Sequence, residues 1–322
     1  MHKSPVAIIG TGIAGLSAAH ALRQAGCAVV LFEKSRGSGG RLASKRTAIG
    51  PVDIGAPCFS ATGSDFRHAC QQWHDDGLIA AWPPSVGAAG WTGVPRMSSL
   101  SRGLLADTTV HFGCRINDIL PMDSQWQLVD SEGTRHGPFA SVILAVPAPQ
   151  ASELLSTAPA LASLAASVEM RPIWSVALGF RHPLPAPAGP GSPASYPLAR
   201  HTHNSAKPDR ANAMDVWVLQ ADSDWSAANL DTPGAEIATQ LQEAFARTLD
   251  YQLPPADFTL AHRWLYAEPA QPRSWSALAE ASMGLYVCGD WCLAGRIEDA
   301  WLSGREAARL LLEYNTTPGS NN

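Results

Sequence analysis

The glycine run GTGIAG at residues 10–15 limits what this chain of 322 residues can fold into more than any other feature. It directly follows the short β-branched run VAIIG, which is typical of a buried parallel strand. Apolar residues at helical spacing come next and stop at Gly26, a residue typical of helix C-termini. A second strand is predicted at Cys27–Phe32, so the segment forms a βαβ unit.

The three glycines of this run, Gly10, Gly12 and Gly15, suit a phosphate-binding turn. They permit a tight turn, a close approach of the backbone to a pyrophosphate, and close packing of the helix on the strand. The helix N-terminus adds free N–H donors and the positive end of its dipole. Glu33 ends the second strand, where a carboxylate accepts hydrogen bonds from an adenosine ribose. Together these residues predict that the chain binds a dinucleotide.

Two further segments favour FAD over a nicotinamide dinucleotide as that ligand. In SGGR (residues 38–41), the glycines let the backbone wrap a pyrophosphate and Arg41 supplies a bidentate phosphate partner. In CGD (residues 288–290), which follows a predicted buried strand, Asp290 is suited to accept from a ribityl hydroxyl. A helix predicted to start near residues 299–300 directs backbone N–H groups at the pyrimidine end of a flavin.

Composition and charge exclude several classes of function. Lys and Arg number 23 against 28 Asp and Glu, a net charge of -5, so the chain has no basic field for nucleic acid. Every apolar run ends well short of the roughly 20 residues that cross a bilayer, so we expect no membrane span. Met1–Pro5 lacks the pattern of a secretory signal and six cysteines are too sparse for a disulfide framework, so we expect a cytoplasmic protein.

The pattern of elements along the chain predicts two domains. A Pro- and Gly-rich loop at Pro183–Pro197 lies in a middle region of alternating helices and strands. From Gly284 the strand-turn-helix order of the N-terminal segment occurs again. We therefore predict an α/β fold, a Rossmann-like FAD-binding domain with an inserted α+β substrate or lid domain. The expected FAD-binding domain comprises residues 1–56, 97–150 and 280–322, and the expected substrate domain comprises residues 57–96 and 151–279.

Several stretches of the chain resemble one family. They are AIIGTGIAGLSAAHAL with LFEKSRGSGGRLASKR after it, VILAVPAPQASELL, AHRWLYAEP, and YVCGDWCLAGRIEDAWLSGREAARLLL. Together they resemble the bacterial renalase-type flavoproteins of the flavin amine oxidase superfamily. The resemblance implies a two-domain fold and noncovalent FAD. It also implies oxidation of misreduced dihydronicotinamides, the 2- and 6-dihydro isomers of NAD(P)H, to NAD(P)+ with O2 as the electron acceptor.

The resemblance further implies which positions bind the cofactor, and it shows where this chain departs from the family. DIGAPCFSA, residues 53–61, matches the family's stretch beside the flavin, but Pro57 and Cys58 stand where related sequences have Gln and Tyr. This departure leaves the FAD assignment intact and puts the identity of the substrate in doubt. The predicted cofactor-binding residues are Gly10, Gly12, Ile13, Ala14, Gly15, Glu33, Lys34, Gly40, Arg41, Ala56, Pro57, Ile116, Gly289, Asp290, Asp299 and Ala300.

Oxidation of a dihydropyridine needs little from side chains, because the ring already carries a transferable hydride and aromatisation drives its transfer. A flat, largely apolar slot is sufficient, so no catalytic residue is assigned. Each aromatic candidate for lining the slot is also suited to plain core packing. The candidates are Cys58, Phe59, Trp91, Trp174, Tyr196, His262, Trp264 and Trp291.

Other interpretations stay open from the sequence. The change at Pro57 and Cys58 permits an amine oxidase or a desaturase acting on a specialised metabolite, and a flavin-binding protein without turnover is a further alternative. We expect no metal site, because Cys288 and Cys292 lack the second ligand pair that structural zinc requires. The expected partners are a reduced nicotinamide dinucleotide or a small amine, together with O2; the sequence does not indicate the oligomeric state.

Overall fold

The computed structural model describes residues 4–82, 90–185 and 195–316. Its strands are β1 (Val6–Ile9), β2 (Val29–Glu33), β3 (Ser44–Thr47), β4 (Gly50–Asp53), β5 (Ile79–Ala81), β6 (Trp91–Gly93), β7 (Thr109–Phe112), β8 (Ile116–Met122), β9 (Gln125–Asp130), β10 (Arg135–Phe139), β11 (Ser141–Leu144), β12 (Met170–Phe180), β13 (Leu198–His203), β14 (Asp215–Ala221), β15 (Phe258–Pro269), β16 (Leu278–Glu280) and β17 (Leu285–Val287). Its α-helices are α1 (Ile13–Gln24), α2 (Ser64–Asp75), α3 (Met97–Leu105), α4 (Ala148–Leu154), α5 (Pro159–Ala166), α6 (Ser223–Ala228), α7 (Gly234–Leu249) and α8 (Ile297–Thr316). Short 3-10 helices lie at Gly40–Leu42, Asn204–Ala206, Ala281–Met283 and Asp290–Cys292.

The chain divides into two compact units, each built from several segments. The first unit comprises residues 1–40, 101–170 and 269–322, and the second comprises residues 41–100 and 171–268. A six-stranded sheet with the order β16-β17-β11-β1-β2-β7 forms the centre of the first unit. β16 is an antiparallel edge strand, and the other five strands run parallel. This is the Rossmann-like arrangement that the sequence predicts.

The two faces of this sheet bury different partners, because side chains alternate along each strand. Ile8 and Leu31 belong to an apolar cluster that contains residues of α1 and α8. Ala7 and Phe32 belong to a second cluster, which contains residues of α4, α5 and the antiparallel meander β8-β9-β10. The first unit therefore has the layered helix-sheet construction of a doubly covered parallel sheet.

The second unit is built on a four-stranded sheet with the order β13-β14-β12-β15. β14 pairs antiparallel with both β12 and β13. The amphipathic helix α7 buries Ile237, Leu241 and Phe245 in the same cluster as residues of these strands. The hairpin of β3 and β4 buries Val52 with Val216 of β14 in a separate cluster. This unit has the α+β character expected of the substrate domain.

The expected domain boundaries and one helix start differ from the structure. Residues 41–56 and 97–100 lie in the second unit, where the hairpin of β3 and β4 packs on its sheet. Residues 151–170 and 269–279 lie in the first unit, where α4 and α5 share the cluster of β11. The helix expected near residues 299–300 is α8, which begins a few residues earlier.

Part of the loop predicted at Pro183–Pro197, residues 186–194, lies outside the described residues. Each of the six cysteines is a free thiol. Within the described ranges, none of the helices combines the length and the hydropathy that crossing a membrane requires.

Candidate functional site

The glycine run at residues 10–15 forms a turn that a side chain would break at two points. Gly10 has a φ of 106°, and a Cβ there would lie 2.4 Å from the Ala145 carbonyl oxygen. A Cβ on Gly15 would lie 2.1 Å from the Gly10 carbonyl oxygen. Both distances are far inside van der Waals contact, so neither position accepts a side chain unless the backbone moves.

Gly12 differs from these two glycines, because a Cβ there would meet no described atom within 4 Å. Gly12 is the N-cap of α1, and no side chain of the described residues caps that helix end. The backbone N–H groups of Ile13 and Ala14, in the first turn, have no partner within the helix and lie at the positive end of its dipole. An open helix end of this kind fits a phosphate group.

A second glycine segment, Gly39 and Gly40, lies against the first. The Gly39 N–H donates to the Thr11 carbonyl oxygen at 2.9 Å. A Cβ on Gly40, whose φ is 53°, would lie 3.8 Å from the Gly12 Cα. The structure thus brings the two predicted phosphate-binding segments together.

Glu33 is buried at the end of β2, beside this turn. Its Oε2 accepts from the Thr11 N–H at 3.0 Å and from the Thr11 hydroxyl at 2.7 Å. Its Oε1 accepts from the Ser35 N–H at 2.8 Å. These bonds orient the carboxylate and leave acceptor capacity on Oε1, since a carboxylate offers about four lone-pair sites. Glu33 therefore holds the loop and is also able to accept from a ribose hydroxyl.

The segment after β17 contains the other predicted cofactor residues of the first unit. Asp290, directly after Gly289, is buried. Asp299 is buried in the first turn of α8, where its carboxylate accepts from the N–H and the guanidinium of Arg296. The N–H of Ala300 donates to the Arg296 carbonyl oxygen at 3.0 Å. The Ala300 amide is thus used within the helix, the free helix-end amides belong to the residues before it, and contact of Ala300 with the cofactor stays a prediction.

Three other predicted cofactor residues have different surroundings. The exposed Lys34 ammonium donates to Gln150 Oε1 at 3.2 Å. Ile116 is buried in the apolar cluster of β8 and β9, and its contact with the cofactor stays a prediction. Arg41 lies in the second unit, where its Nη1 donates to the Ala267 carbonyl oxygen at 2.8 Å. Contact of Lys34 or Arg41 with the cofactor stays a prediction.

In the second unit, Ile54, Gly55, His262 and Trp264 form a surface that we call the Trp264 wall. Trp264 Nε1 donates to the Ile54 carbonyl oxygen at 3.0 Å. A Cβ on Gly55 would lie 2.0 Å from the Arg41 carbonyl oxygen, so glycine is required there, and 3.4 Å from the Trp264 ring, which is an ordinary contact. The imidazole of His262 packs edge-on against Trp264 with ring centroids 4.4 Å apart. Two predicted substrate residues are therefore neighbours.

Lys45 influences the protonation state of His262 and determines which of its ring nitrogens carries the proton. Its Nζ lies 3.2 Å from His262 Nδ1. An ammonium only donates, so Nδ1 accepts and the imidazole carries its proton on Nε2. Burial, together with the charge of Lys45, lowers the pKa of His262 to about 4. The imidazole is therefore neutral at physiological pH.

Asp53 is fully buried and forms ion pairs with Lys207 and Arg210. We call these three residues the Asp53 cluster. Asp53 Oδ2 accepts from Lys207 Nζ at 2.8 Å and from the Arg210 guanidinium, and both cationic side chains are buried. Its Oδ1 accepts from the Ser44 hydroxyl at 2.6 Å and from the Met97 N–H at 3.0 Å. Burial acts to raise the pKa of Asp53, but the two cations lower it below its usual range.

The predicted substrate residues Cys58, Phe59 and Trp91 lie in the second unit and differ in how deeply they are buried. Phe59 is buried, and its backbone exchanges hydrogen bonds with that of Trp91 at 2.9 and 2.7 Å. Cys58 is half-buried, and burial raises the pKa of its thiol. The charges of Lys207 and Arg200 act in the opposite direction on that pKa. Cys58 therefore lies in a cationic environment.

The remaining aromatic candidates have other surroundings. Trp174 is buried in the core of the second unit, where its Nε1 donates to the Asn229 carbonyl oxygen at 3.0 Å. Trp291 is buried in the core of the first unit, where its Nε1 donates to the Val146 carbonyl oxygen at 3.0 Å. Both indoles are core residues, and a role for either in lining the substrate slot stays a prediction. Tyr196 is 70% exposed, and a role for it in binding substrate stays a prediction.

Comparison with known families decides the class of the protein. Residues 83–312 match the family described as flavin containing amine oxidoreductase, and residues 8–73 match the NAD(P)-binding Rossmann-like domain. The chain belongs to the flavin-containing amine oxidoreductase family. The predicted fold class, the FAD cofactor and the assignment as an FAD-dependent oxidoreductase are thereby confirmed.

Solved structures of two oxidases share this fold. Cyclohexylamine oxidase from Brevibacterium oxydans IH-35A superposes with a TM-score of 0.74 at 13% identity, over 98% of this chain and 100% of that one. Putrescine oxidase bound to putrescine gives 0.70 at 13% identity, over 97% and 99%. Hydroxyneurosporene desaturase from Cereibacter sphaeroides is 32% identical over 88 residues, which span 27% of this chain and 18% of the desaturase.

The first unit fits the FAD of a flavin amine oxidoreductase, because Gly12, where a Cβ would meet no described atom within 4 Å, adjoins an uncapped helix end. The open side of Gly12 and the amides of Ile13 and Ala14 would hold the pyrophosphate. Glu33 would accept from the adenosine ribose, and Asp290 would accept from the ribityl chain. These residue assignments stay predictions, whereas the FAD cofactor itself follows from the family.

The sequence reasoning missed the Asp53 cluster and Lys45. An acid between two buried aliphatic residues, as Asp53 is between Val52 and Ile54, signals a buried charge that needs partners. The partners themselves lie 154 and 157 residues further along the chain. No local pattern identifies them.

Proposed function

We propose that this flavin amine oxidoreductase is an oxidase of the renalase type, which converts a misreduced 2- or 6-dihydro-NAD(P) to NAD(P)+. When bound, FAD accepts the hydride and passes the two electrons to O2, which takes up two protons and becomes hydrogen peroxide. One observation carries the proposal, the positive charge around Cys58 and His262.

The charges that act on these two side chains are cationic. Lys207 and Arg200 act on the Cys58 thiol, and Lys45 contacts His262. The carboxylate of the Asp53 cluster is already shared between two buried cations. Positive charge attracts the phosphates of a nicotinamide dinucleotide and repels the ammonium form of an amine. This electrostatic selection supports a dihydronicotinamide as substrate.

The Trp264 wall supports the same chemistry, because it combines aromatic surface with a neutral imidazole. A dihydropyridine that loses hydride becomes aromatic without giving a proton to a base, so no general base is required. His262, with its pKa lowered to about 4, supplies an Nε2–H donor that suits the nicotinamide carboxamide oxygen. The Trp264 indole offers a flat apolar surface for the ring.

Anaerobic reduction of the yellow holoenzyme, followed by stopped-flow absorbance, tests the proposal. The 2-, 4- and 6-dihydro isomers of NADH are compared with cyclohexylamine and putrescine. We expect the 2- or 6-dihydro isomer to bleach the flavin fastest and the colour to return in air. Faster bleaching by either amine overturns the proposal in favour of amine oxidation, the alternative that the family description supports. No bleaching by any donor indicates a flavin-binding protein without turnover.

A substitution at Arg200 sharpens the test of phosphate recognition. Arg200→Gln removes an exposed cation near Cys58, so we expect the KM for the dihydronicotinamide dinucleotide to rise about two- to fivefold. The KM for the corresponding riboside, which has no phosphate, should not change. Arg305→Gln, at an exposed arginine of α8, is the matched control. Equal changes in KM for dinucleotide and riboside contradict a role of the cations in binding phosphate.

A further inference from the structure

One cluster in the first unit brings together three different metal-ligating side chains. Cys114 lies in the turn between β7 and β8, Asp130 ends β9, and His136 lies in β10. Cys114 Sγ is 3.7 Å from both Asp130 Oδ2 and His136 Nε2. The Asp130 and His136 atoms are 2.9 Å apart. The three ligand atoms therefore form one compact triangle.

We infer that Cys114, Asp130 and His136 form a binding site for a zinc-class dication. Tetrahedral Zn²⁺, with bonds of about 2.3 Å to S and about 2.0–2.2 Å to N and O, places S about 3.5 Å from N and O, and N about 3.3 Å from O. The triangle observed departs from this arrangement by a few tenths of an ångström. A thiolate and an imidazole favour Zn²⁺ over Mg²⁺ and Ca²⁺, which prefer oxygen ligands.

Backbone hydrogen bonds hold the triangle in place. Asp130 Oδ1 accepts from the N–H groups of Glu132 and Thr134 at 2.9 Å each, so Oδ2 is the oxygen that contacts the other two ligands. The Cys114 N–H donates to the Glu33 carbonyl oxygen at 2.9 Å. Two ligands on the paired strands β9 and β10 and one in a hydrogen-bonded turn, oriented by bonds to their other atoms, are what a stable metal site requires.

The triangle borders an open cavity of about 540 Å³, which leaves space for a fourth ligand. His111 borders the same cavity, and its ring centroid is 5.5 Å from that of His136. A water molecule from this cavity is therefore available to complete four-coordination. The site has three protein ligands already together and one open position.

The same residues do not have the geometry of a Cys-His-Asp nucleophile. Such a triad uses both imidazole nitrogens, one for the thiol and one for the carboxylate. Here Cys114 and Asp130 both contact Nε2 of His136. Burial and the charge of Asp130 raise the pKa of Cys114 to about 11, so the metal-free thiol is also a poor nucleophile.

Titration of the holoenzyme with ZnCl2, against a chromophoric chelator as competitor, tests the site. We expect one equivalent of Zn²⁺ to bind per chain. Cys114→Ser and His136→Gln should each weaken binding by about a hundredfold. Cys27→Ser and His68→Gln, which change a cysteine and a histidine outside the cluster, should leave the affinity unchanged. Retained FAD content and far-UV circular dichroism show whether each variant is folded.

Titration with CoCl2 gives a second readout from the ligands themselves. Tetrahedral Co²⁺ has d–d bands at longer wavelengths than oxidised flavin absorbs, and we expect them in the parent and not in Cys114→Ser. Asp130→Asn, which retains an oxygen for the backbone amides, should weaken binding without unfolding the hairpin. Equal Zn²⁺ affinity of the parent and Cys114→Ser, no saturable binding by the parent, or equal loss in His68→Gln would each overturn the inference.

Discussion

The glycine turn at residues 10–15 and the Asp53 cluster hold their regions in place by opposite means. The turn depends on the lack of side chains, because a Cβ at Gly10 or Gly15 would collide with a backbone carbonyl. The Asp53 cluster depends on side chains that are present, a buried carboxylate shared by two buried cations. A defect in the turn is therefore steric, whereas a defect in the cluster leaves charge without a partner.

The largest effect is expected from removal of the carboxylate. Asp53→Ala leaves Lys207 and Arg210 buried without a counter-charge and should lower the free energy of unfolding by about 3–5 kcal/mol. Urea denaturation of the holoenzyme at pH 7 measures this loss. Glu306→Ala breaks a partly exposed pair with Arg309 and should cost no more than about 1 kcal/mol. Similar losses in the two variants would contradict burial as the cause.

A substitution in the turn should have a smaller effect on stability and separates two roles of glycine. Gly15→Ala places a Cβ against the Gly10 carbonyl and should lower the free energy of unfolding of the apoprotein by about 3 kcal/mol. Gly12→Ala meets open space and should change it by less than about 0.5 kcal/mol. Gly12→Ala should nevertheless weaken FAD binding, because its methyl group occupies the phosphate side. Urea denaturation and FAD titration of both apoproteins measure these effects, and equal losses of stability contradict the distinction.

At Glu33 the expected effect is on cofactor affinity. Glu33→Gln replaces charge-assisted hydrogen bonds by neutral ones and should raise the Kd for FAD about tenfold, which corresponds to about 1.4 kcal/mol, the approximate difference between the two kinds of bond. Fluorescence titration of the apoprotein measures it. Thr11→Val removes one donor to Glu33 and retains the carboxylate charge, so its effect on Kd should be smaller. Unchanged FAD affinity in Glu33→Gln would contradict the prediction that Glu33 accepts a hydrogen bond from the adenosine ribose.

The smallest effect is a pH dependence from the Trp264 wall. The pKa of His262 is lowered from 6.5 to about 4 by burial and by Lys45, so the unfolded chain takes up this proton first. The contribution to stability is therefore complete above pH 6.5 and is lost as the pH falls towards 4. Urea midpoints at pH 7 and pH 5 should differ less in His262→Gln than in the parent, with Lys45→Met in between. An unchanged difference in His262→Gln contradicts the assignment.

The dinucleotide-binding turn of the first unit could be predicted from sequence because its determinants are local. Gly10, Gly12, Gly15 and Glu33 belong to a single βαβ unit, and the strand-turn-helix order fixes their relation. The role of Glu33 in holding Thr11 and Ser35 was not predicted, because it depends on the orientation of the carboxylate. The ends of the helices could not be predicted to the residue: α8 begins at Ile297, before the expected residues 299–300.

The remaining site residues depend on long-range pairing or on burial. The partners of Asp53 come from distant positions, and those of Cys114 lie 16 and 22 residues away on strands whose register no local pattern reveals. Trp174, Trp291 and Trp264 are equivalent as residue types, yet the first two are core residues. Aromatic identity by itself does not distinguish packing from a binding surface.

The close packing of α8 on α1 has a consequence for synthesis on the ribosome. Gly304 lies against the backbone of Ala14, and the Ser17 hydroxyl donates to the Trp301 carbonyl oxygen at 2.8 Å. Residues 13–24 leave the ribosome long before residues 297–316, so the nascent helix α1 exposes apolar surface throughout most of translation. The apolar face of α1 that packs on α8 is therefore covered only after the C-terminal helix has left the ribosome.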